Sequence, residues 1–214
     1  MDKPFFVHIP KNMGNFIYQK YYDIKKEDKN KFYGFYDSIV EYYKTYKFPY
    51  IIENNNNYKS ISIDHLTPHE LLNLGIMKPS ESSKYIFFAI MREPLDRFIS
   101  LCNYWDVPPN QLIYNITKIN LLKQTAYNLF QHLRPQNDYI NDIKRVTNKY
   151  RIFSMNKKNQ IRDFLATYFP NKSVNFEEKV YHSRDKYNTS MLSRENMNFI
   201  NKYYKDDFQL FRQL

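Results

Sequence analysis

The most apolar segment of the chain is the run Tyr85–Met91, YIFFAIM, which Glu93 and Pro94 terminate. A short run of this kind is typical of a strand buried on both faces of a parallel sheet. Because helices must cover both faces of such a sheet, the run predicts an α/β fold. We therefore expect Tyr85–Met91 to be the central strand.

Strand and helix patterns alternate along the rest of the chain, as in an α/β domain with a parallel sheet. The other strand candidates are Phe5–Ile9, Pro49–Ile52, Ser60–Ile63 and Tyr150–Met155. The helix candidates are 16–24, 68–74, Leu95–Trp105, Gln111–Phe130, Ile161–Tyr168 and Ser193–Phe211. A length of 214 residues fits one domain, 1–214.

Composition says more about the compartment and membrane association of the protein than about its activity. The single cysteine, Cys102, excludes an internal disulfide and fits a reducing compartment. No apolar run follows Met1, and no segment approaches the ~20 apolar residues of a membrane span. We expect a soluble protein without a membrane span and favour the cytoplasm, leaving a viral protein or a trimmed chain open.

The formal net charge of +10 predicts an anionic ligand, such as a nucleotide, a nucleic acid or an acidic glycan. Compositional drift is an equal explanation, since the chain has only 3 glycines but 21 tyrosines and is rich in lysine and asparagine. Charge alone therefore does not select a function.

A loop with one lysine and one glycine, Lys11 and Gly14, follows the first strand candidate and precedes a helix. Such a loop presents backbone N–H groups and the positive end of a helix to an anion. The lysine adds a mobile point charge, and the glycine allows close approach of the backbone. Taken alone, the pattern is a weak signal for phosphate binding, because a single glycine and a single lysine between a strand and a helix also occur by chance.

The segment His8–Asn15, HIPKNMGN, resembles the H-I-P-K-T-G-G-T-[ST] stretch of sulfotransferases that use 3′-phosphoadenosine-5′-phosphosulfate (PAPS). The resemblance implies that this loop holds the 5′-phosphosulfate and that its lysine stabilises charge on the bridging oxygen. The implied cofactor-binding residues are Lys11, Asn12, Met13, Gly14 and Asn15. The chain departs from the pattern where Asn12 replaces a threonine, Met13 a glycine and Asn15 a hydroxyl residue.

The segment REPLDRFIS, from Arg92 to Ser100, resembles the R-[DN]-P-x-x-R-x-x-S element of the same family. The resemblance implies that Arg92 and Ser100 bind the 3′-phosphate of the cofactor. Arg92 follows the central strand candidate, at the edge where α/β sheets bind ligands, and its planar fork suits a terminal phosphate. The alternative is a structural Arg92 paired with Glu93 or Asp96. We expect Arg97 to be structural or a helper.

Transfer of a sulfuryl group to a hydroxyl needs a general base. His65 is the predicted base because it ends a strand candidate and its segment resembles the family's H-x-[ST]-[AP]-x-E-[LI] element. Asp64 is expected to orient its ring, and Glu93 is a weaker rival base. A structural histidine and a substrate contact remain alternatives for His65. His8 is expected in the scaffold and His69 on the surface.

The segment after His65 carries strong helix signals. Thr67 and Glu70 form a capping box around Pro68, and Gly75 is expected to end the helix.

Two C-terminal segments resemble family elements that pack rather than react. They are Arg134–Tyr139, similar to R-P-Q-x-x-Y, and Tyr203–Phe211, similar to Y-x-x-D-[FI]-x-[LM]-[FY]. Between them, the resemblance places a loop that closes over the cofactor. It makes Ser183, Arg184 and Lys186 candidate contacts to the 3′-phosphate or the adenine, with a solvated charged loop as the alternative.

These motifs together predict a PAPS-dependent sulfotransferase with a P-loop-like three-layer domain, a central parallel sheet flanked by helices. The acceptor is a hydroxyl, expected on a glycan; no metal and no nucleic-acid partner are expected, and the oligomeric state stays open. The alternatives are a P-loop phosphotransferase and a non-catalytic basic module that binds nucleic acid or acidic glycan. A nucleoside triphosphate site would need a metal-binding hydroxyl after the lysine, where the chain has Asn12.

Overall fold

The computed structural model describes residues 2–22, 51–54, 57–60, 63–176 and 186–214. These residues form a mixed α/β structure with a small parallel sheet. Among them, no helix combines the length and apolar character that a membrane crossing needs.

Three parallel strands form the main sheet: β1 (Lys3–Phe6), β4 (Tyr85–Met91) and β5 (Tyr150–Ser154). Their order is β1-β4-β5, with Phe6 paired with Phe88 across the first ladder. The prediction that Tyr85–Met91 is the central strand is therefore confirmed. Because the strands are parallel, the loops that follow them leave from the same edge of the sheet.

The strand predicted at Phe5–Ile9 ends earlier, at Phe6. The N–H of Val7 still donates to the Phe88 carbonyl at 2.8 Å, but the N–H of Ile9 turns back to the Val7 carbonyl at 3.1 Å. The chain thus leaves the sheet after Val7, three residues before Pro10. Separately, β2 (Ile51–Asn54) and β3 (Asn57–Ser60) form an antiparallel pair. β2 overlaps the strand candidate Pro49–Ile52 at two residues, and β3 overlaps the candidate Ser60–Ile63 only at Ser60. Residues 49–50 and 61–62 of these candidates lie outside the described residues.

Helices make up most of the described residues. They are α1 (Gly14–Tyr21), α2 (Pro68–Asn73), α3 (Pro79–Ser82), α4 (Pro94–Trp105), α5 (Pro109–Thr117), α6 (Ile119–Thr125), α7 (Tyr127–Leu133), α8 (Gln136–Val146), α9 (Lys158–Tyr168), α10 (Arg194–Tyr203) and α11 (Lys205–Phe211), with 3₁₀ turns at Ile63–His65 and Thr189–Met191. The capping box of α2 is confirmed: the N–H of Glu70 donates to the Thr67 hydroxyl at 3.2 Å, and the N–H of Thr67 donates to the Glu70 carboxylate at 2.8 Å. Gly75, with φ 70°, follows the helix as expected.

The prediction that Gln111–Phe130 is mostly helical is confirmed. The segment forms α5, α6 and the first half of α7, with breaks at Lys118 (φ −103°) and Ala126 (φ −143°, ψ 66°). Alanine has the highest intrinsic helix propensity, so nothing local predicts the second break. The break lets α7 turn Phe130 and Leu133 into the interior, where both are buried.

The predicted helix Ser193–Phe211 is also divided, at Tyr204 (φ −99°, ψ 25°), into α10 and α11. The Tyr204 hydroxyl donates to the Leu133 carbonyl at 2.9 Å, which ties the bend to the end of α7. Ser193 caps α10 as predicted, since its hydroxyl accepts from the Asn196 N–H at 3.1 Å.

Alternate side chains of β4 belong to two different apolar clusters. Phe87, Ala89 and Met91 pack with residues of α2 and α8, whereas Phe88 and Ile90 pack with residues of α1 and α9. A third cluster joins α4, α5, α7 and α10. Burial of each phenylalanine contributes about 1.5–3 kcal/mol, so β4 fixes the position of the loop that follows it.

Candidate functional site

The loop between β1 and α1, residues 7–13, is called the lysine loop. Its anchor is Asn12, which is fully buried. The Asn12 Nδ2 donates to the Ile90 carbonyl at 2.8 Å and to Gln136 Oε1 at 2.5 Å. This amide, which the family resemblance assigns to the cofactor, instead holds the loop to β4 and α8.

Gln136 joins the lysine loop to the corner that follows β4, at Arg92. Its Oε1 accepts from the Asn12 side chain and from the Arg92 N–H at 3.0 Å, and its Nε2 donates to the Arg92 carbonyl at 2.9 Å. Asp207 in turn accepts from the N–H groups of Gln136 and Asn137, at 2.8 and 2.7 Å. The prediction that the two motifs meet at neighbouring strand ends is confirmed, and both C-terminal elements pack as expected.

Two residues of the lysine loop have left-handed backbones, Lys11 with φ 71° and Met13 with φ 62°. Such a conformation costs a non-glycine residue roughly 1–2 kcal/mol. Glycine adopts it readily, and the sulfotransferase pattern has glycine at the position of Met13. The departure at Met13 thus retains a backbone shape that suits glycine.

The Lys11 side chain reaches the exposed ring of Tyr104 on α4. Its ammonium lies 4.1 Å from the ring centroid, within range of a cation–π interaction. At a position as exposed as Tyr104, such a contact is worth only about 0.5–1 kcal/mol.

Gly14 begins α1 directly beside His8. A Cβ atom at Gly14 would stand 1.8 Å from His8 Nε2, which no rearrangement short of moving the ring would relieve. The glycine is therefore required by an imidazole, a reason that differs from the close approach of a phosphate expected from the sequence. Asn15, the next residue, is exposed, and the first N–H groups of a helix have no acceptor within it.

Arg92 is half-buried at the corner after β4. No described carboxylate lies within 4.0 Å of its guanidinium, and Glu93 instead accepts from the Asp96 N–H at 2.8 Å to cap α4. The structural alternative, an ion pair of Arg92 with Glu93 or Asp96, is thus not formed. Burial lowers the pKa of Arg92, while the nearby carboxylates raise it. The side chain remains a cation near neutral pH.

Arg97, which was expected to be either structural or a helper in ligand binding, has a structural role. It is 1% exposed, and its guanidinium donates to three carbonyls. Nε reaches Pro10 at 3.1 Å, while the two terminal nitrogens reach Arg134 at 3.2 Å and His132 at 2.7 Å. Arg97 therefore ties α4 to the lysine loop and to the end of α7.

Ser100 lies on the face of α4 that is turned to the lysine loop. It follows Arg97 by three residues and precedes Tyr104 by four, so the three share one side of the helix. Arg97 contacts Pro10 and Tyr104 contacts Lys11, which fixes the direction of that side. Ser100 is buried there, and its phosphate contact stays a prediction.

The predicted base, His65, belongs to a histidine cluster that consists of His8, Asp64 and His65. His65 Nδ1 lies 3.3 Å from the His8 carbonyl, and its Nε2 lies 3.7 Å from Asp64 Oδ2. His8 Nδ1 is 3.3 Å from the same carboxylate oxygen. Both histidines are 7% exposed, so Asp64 is the most open member of the cluster.

Burial shifts the titration of the cluster. It lowers the pKa of His65 well below its usual value, and Asp64 only partly counters this effect. For Asp64 burial acts in the opposite direction, but His65 and His8 outweigh it and the pKa of the carboxyl is lowered. At neutral pH the cluster therefore combines a neutral His65 ring with an ionised Asp64.

A row of ring contacts connects the cluster with Lys11. The His132 ring lies 4.8 Å from the His65 ring and is stacked with Tyr104 at 6.0 Å, on which Lys11 rests. Burial lowers the pKa of His132 to about 4. Sequence reasoning gave His132 no role, because its contacts depend on packing between distant segments. It placed His8 in the scaffold, and His8 is buried.

The remaining cofactor candidates lie elsewhere. Lys186 is exposed, and its ammonium is 2.7 Å from Asp106 Oδ1, just beyond the carboxyl end of α4. Arg92 precedes the amino end of the same helix. Ser183 and Arg184 lie outside the described residues.

Protein-family models, curated proteins and solved structures were each compared with the chain, and none matched. The functional argument therefore depends on the geometry of the site and on the two sequence motifs.

Proposed function

We propose that the chain is a sulfotransferase that moves the sulfuryl group of PAPS to an acceptor hydroxyl. The observation that carries this proposal is the junction through Gln136, which joins the lysine loop to the Arg92 corner at one edge of a parallel sheet. A donor with phosphate groups at two ends requires two cationic sites of this kind, close together and on neighbouring strands.

The proposed fold is a P-loop-like domain of three layers. The division of β4 side chains between a cluster with α2 and α8 and a cluster with α1 and α9 supports helices on both faces of the sheet. The strand order places β1 beside β4, which brings the loop after β1 and the corner after β4 to the same edge.

The donor set fits the proposed ligand. No described carboxylate lies within ion-pairing distance of Arg92. Its planar guanidinium can therefore donate two hydrogen bonds to a phosphate without first breaking an ion pair. Ser100 supplies a hydroxyl on the adjoining helix. Lys11 and the N–H groups that begin α1, at Gly14 and Asn15, supply the positive end for a second anionic group.

Bound PAPS would supply an activated sulfuryl group. The residues of this chain would bind it and handle charge and protons. Lys11 would offset negative charge that develops beside the lysine loop, and Arg92 with Ser100 would hold the far end of the donor. Asn12 and Gln136 keep the two sites in register through buried hydrogen bonds.

His65 is the proposed base for the acceptor hydroxyl. The His8 carbonyl can only accept a hydrogen bond, so it favours the tautomer of His65 with the proton on Nδ1. The lone pair is then on Nε2, which can take the hydroxyl proton. Asp64, 3.7 Å from Nε2, would stabilise the imidazolium that forms.

The proposed acceptor is a carbohydrate, as the family resemblance implies, and the net charge of +10 suits an acidic glycan. Ser183, Arg184 and Lys186 stay proposed contacts to the donor, although Lys186 is ion-paired with Asp106 in the structure. Incubation with labelled donor and a panel of glycan, tyrosine and small alcohol acceptors would identify the class.

Thermal unfolding with nucleotides tests the proposal. Adenosine 3′,5′-bisphosphate at 100 times its Kd, without metal, should stabilise the protein by about 2.7 kcal/mol through binding linkage. Adenosine 5′-monophosphate, which lacks the 3′-phosphate, should do much less. Greater stabilisation by ATP with magnesium would establish the phosphotransferase, and equal weak effects of all polyanions would establish the basic module.

The base assignment has its own test. His65→Gln should keep the stabilisation by the bisphosphate but lose transfer of the labelled sulfuryl group, since the amide has no basic nitrogen. His69→Gln, on the outer side of α2, is the matched control and should retain both properties. Transfer at the normal rate by His65→Gln would show that another group removes the proton.

A further inference from the structure

Three potential metal ligands converge in the histidine cluster. They belong to His8, Asp64 and His65, each of which offers one ligand atom, and these three atoms lie within 4.8 Å of one another. Two of the edges of this triangle measure 3.3 Å, between His8 and Asp64, and 3.7 Å, between His65 and Asp64. The ring nitrogens come from segments 57 residues apart in the chain, so the convergence is a product of the fold.

Two of the atoms that face each other in the cluster are acceptors. The contact of His65 Nδ1 with the His8 carbonyl places the ring proton on Nδ1 and leaves a lone pair on Nε2. That lone pair faces a carboxylate oxygen, another acceptor. His8 Nδ1 is buried and has no partner with hydrogen-bonding geometry among the described residues. Buried polar atoms are normally satisfied, and a cation at the centre would satisfy all three.

We propose that His8, Asp64 and His65 form a zinc-binding site. With ligand distances of ~2.0–2.1 Å, neighbouring ligands of tetrahedral zinc lie ~3.3–3.4 Å apart. The 3.3 Å edge already has that length, and the 3.7 Å edge needs a contraction of only ~0.3–0.4 Å to reach it. Two imidazoles and one carboxylate are a ligand set that zinc accepts, and three protein ligands leave the fourth position to water or an anion.

The surroundings of the cluster match those of a metal site. The hydrogen bond of His65 to a backbone carbonyl is the usual outer contact of a metal-bound histidine, and it fixes the orientation of the ring. His132 packs against His65, and Gly14 lies against the ring of His8. The Asp64 side chain is 21% exposed, which offers the ion a route from solvent.

This inference depends on the three side chains alone and is independent of the proposed sulfotransferase activity. It has one consequence for that activity. Zinc would occupy the Nε2 lone pair of His65, so metal binding and proton acceptance would exclude each other. Zinc should therefore inhibit sulfuryl transfer, and a chelator should restore it.

Calorimetric titration of the chelator-treated 214-residue chain with zinc chloride tests the site directly. We expect one zinc ion per chain. Substitution of outer contacts in metal sites costs about 10–100-fold in affinity, so removal of a ligand by Asp64→Asn or His65→Gln should cost at least ~100-fold. His69→Gln removes a histidine outside the cluster and should leave the affinity unchanged.

X-ray absorption spectroscopy of the zinc-loaded wild-type chain gives a readout that does not depend on variants that must fold. It should show only nitrogen and oxygen ligands, two of them imidazoles, at ~2.0–2.1 Å. Absence of zinc binding by the wild type, sulfur ligation by Cys102, or undiminished affinity in folded Asp64→Asn would overturn the proposal. Stabilisation by adenosine 3′,5′-bisphosphate in chelator tests the sulfotransferase separately, so the two proposals can fail independently.

Discussion

Arg92 and Arg97 stand five residues apart around the start of α4 and occupy opposite environments. Arg97 is fully buried and directs its donors to the carbonyls of Pro10, His132 and Arg134. Arg92 is half-buried, and no described carboxylate pairs with it. The two arginines of one short motif therefore have different roles. Arg97 stabilises the packing of α4 against the lysine loop and α7, whereas Arg92 at the sheet edge is available to a ligand.

Arg134 provides an intermediate case. It is also buried, but it donates to both oxygens of the Glu70 carboxylate, at 2.7 and 3.0 Å, in addition to the His65 carbonyl at 3.4 Å. The three arginines therefore differ in their partners. Arg97 donates only to carbonyls, Arg134 is ion-paired with Glu70, and Arg92 has no ion pair among the described residues. Their substitution should separate a structural role from a ligand-binding role.

The largest effect is expected for Arg97→Met, which keeps much of the volume and removes every donor. Three buried carbonyls would lose their partner, at about 1–3 kcal/mol each, so the free energy of unfolding should fall by about 4–6 kcal/mol. Urea denaturation measures this change. A loss below ~1 kcal/mol would mean that Arg97 is not the structural member of the pair.

Arg134→Met should cost about 3 kcal/mol, because breaking a buried ion pair leaves the Glu70 carboxylate without its charge partner. Burial raises the pKa of Glu70, but Arg134 outweighs it and the net pKa is lowered below 4.5. The pair therefore stabilises the wild type above about pH 4.5, and this contribution is lost as the pH falls through the lowered pKa. Urea midpoints across this range should fall steeply for the wild type and less for the variant; parallel curves would contradict the pairing.

Gln136→Leu tests the connection between the two arginine environments and the lysine loop. It removes hydrogen bonds to Asn12 and to both backbone groups of Arg92, so we expect a loss of about 2 kcal/mol in unfolding free energy. It should also weaken binding of adenosine 3′,5′-bisphosphate. Gln160→Leu on the exposed side of α9 is the control. Normal bisphosphate binding by a folded Gln136→Leu chain would show that the junction does not align the two sites.

Arg92→Met should have the smallest effect on stability, within about 0.5 kcal/mol, as is usual for a residue without structural partners. Its effect on ligand binding should be large, because the bisphosphate would lose its bidentate partner. The thermal shift with the bisphosphate should disappear, whereas Arg194→Met, at an exposed site, should keep it. A strong loss of stability in the apo variant would remove the contrast between Arg92 and Arg97.

The parts of the fold that sequence predicted have local causes. The run that forms β4 is apolar throughout, so it cannot form an amphipathic helix or a half-exposed strand. The capping box forms its hydrogen bonds within the four residues Thr67–Glu70. The breaks at Lys118 and Ala126 have no such local cause, and the second precedes α7, whose Leu133 packs with residues of α4, α5 and α10. Such breaks are therefore invisible to periodicity.

The candidate site divides in the same way. Its cationic residues, Lys11 and Arg92, were predictable because each follows a strand, and parallel strands share one edge. Gln136 was predicted only to pack, and its link lies 124 residues from Asn12. His8 was assigned to the scaffold because alternation along β1 gives the side of a ring but not its neighbours. Contacts between distant segments set the roles of these residues.

The contact of Gly14 with the His8 ring couples two positions that belong to different candidate sites. A homologue with a side chain at position 14 must either lack the imidazole at position 8, which is a proposed zinc ligand, or change the backbone between β1 and α1. The two residues should therefore be inherited as a pair, and a sequence with alanine and histidine at these positions would have to shift the start of α1 away from β1.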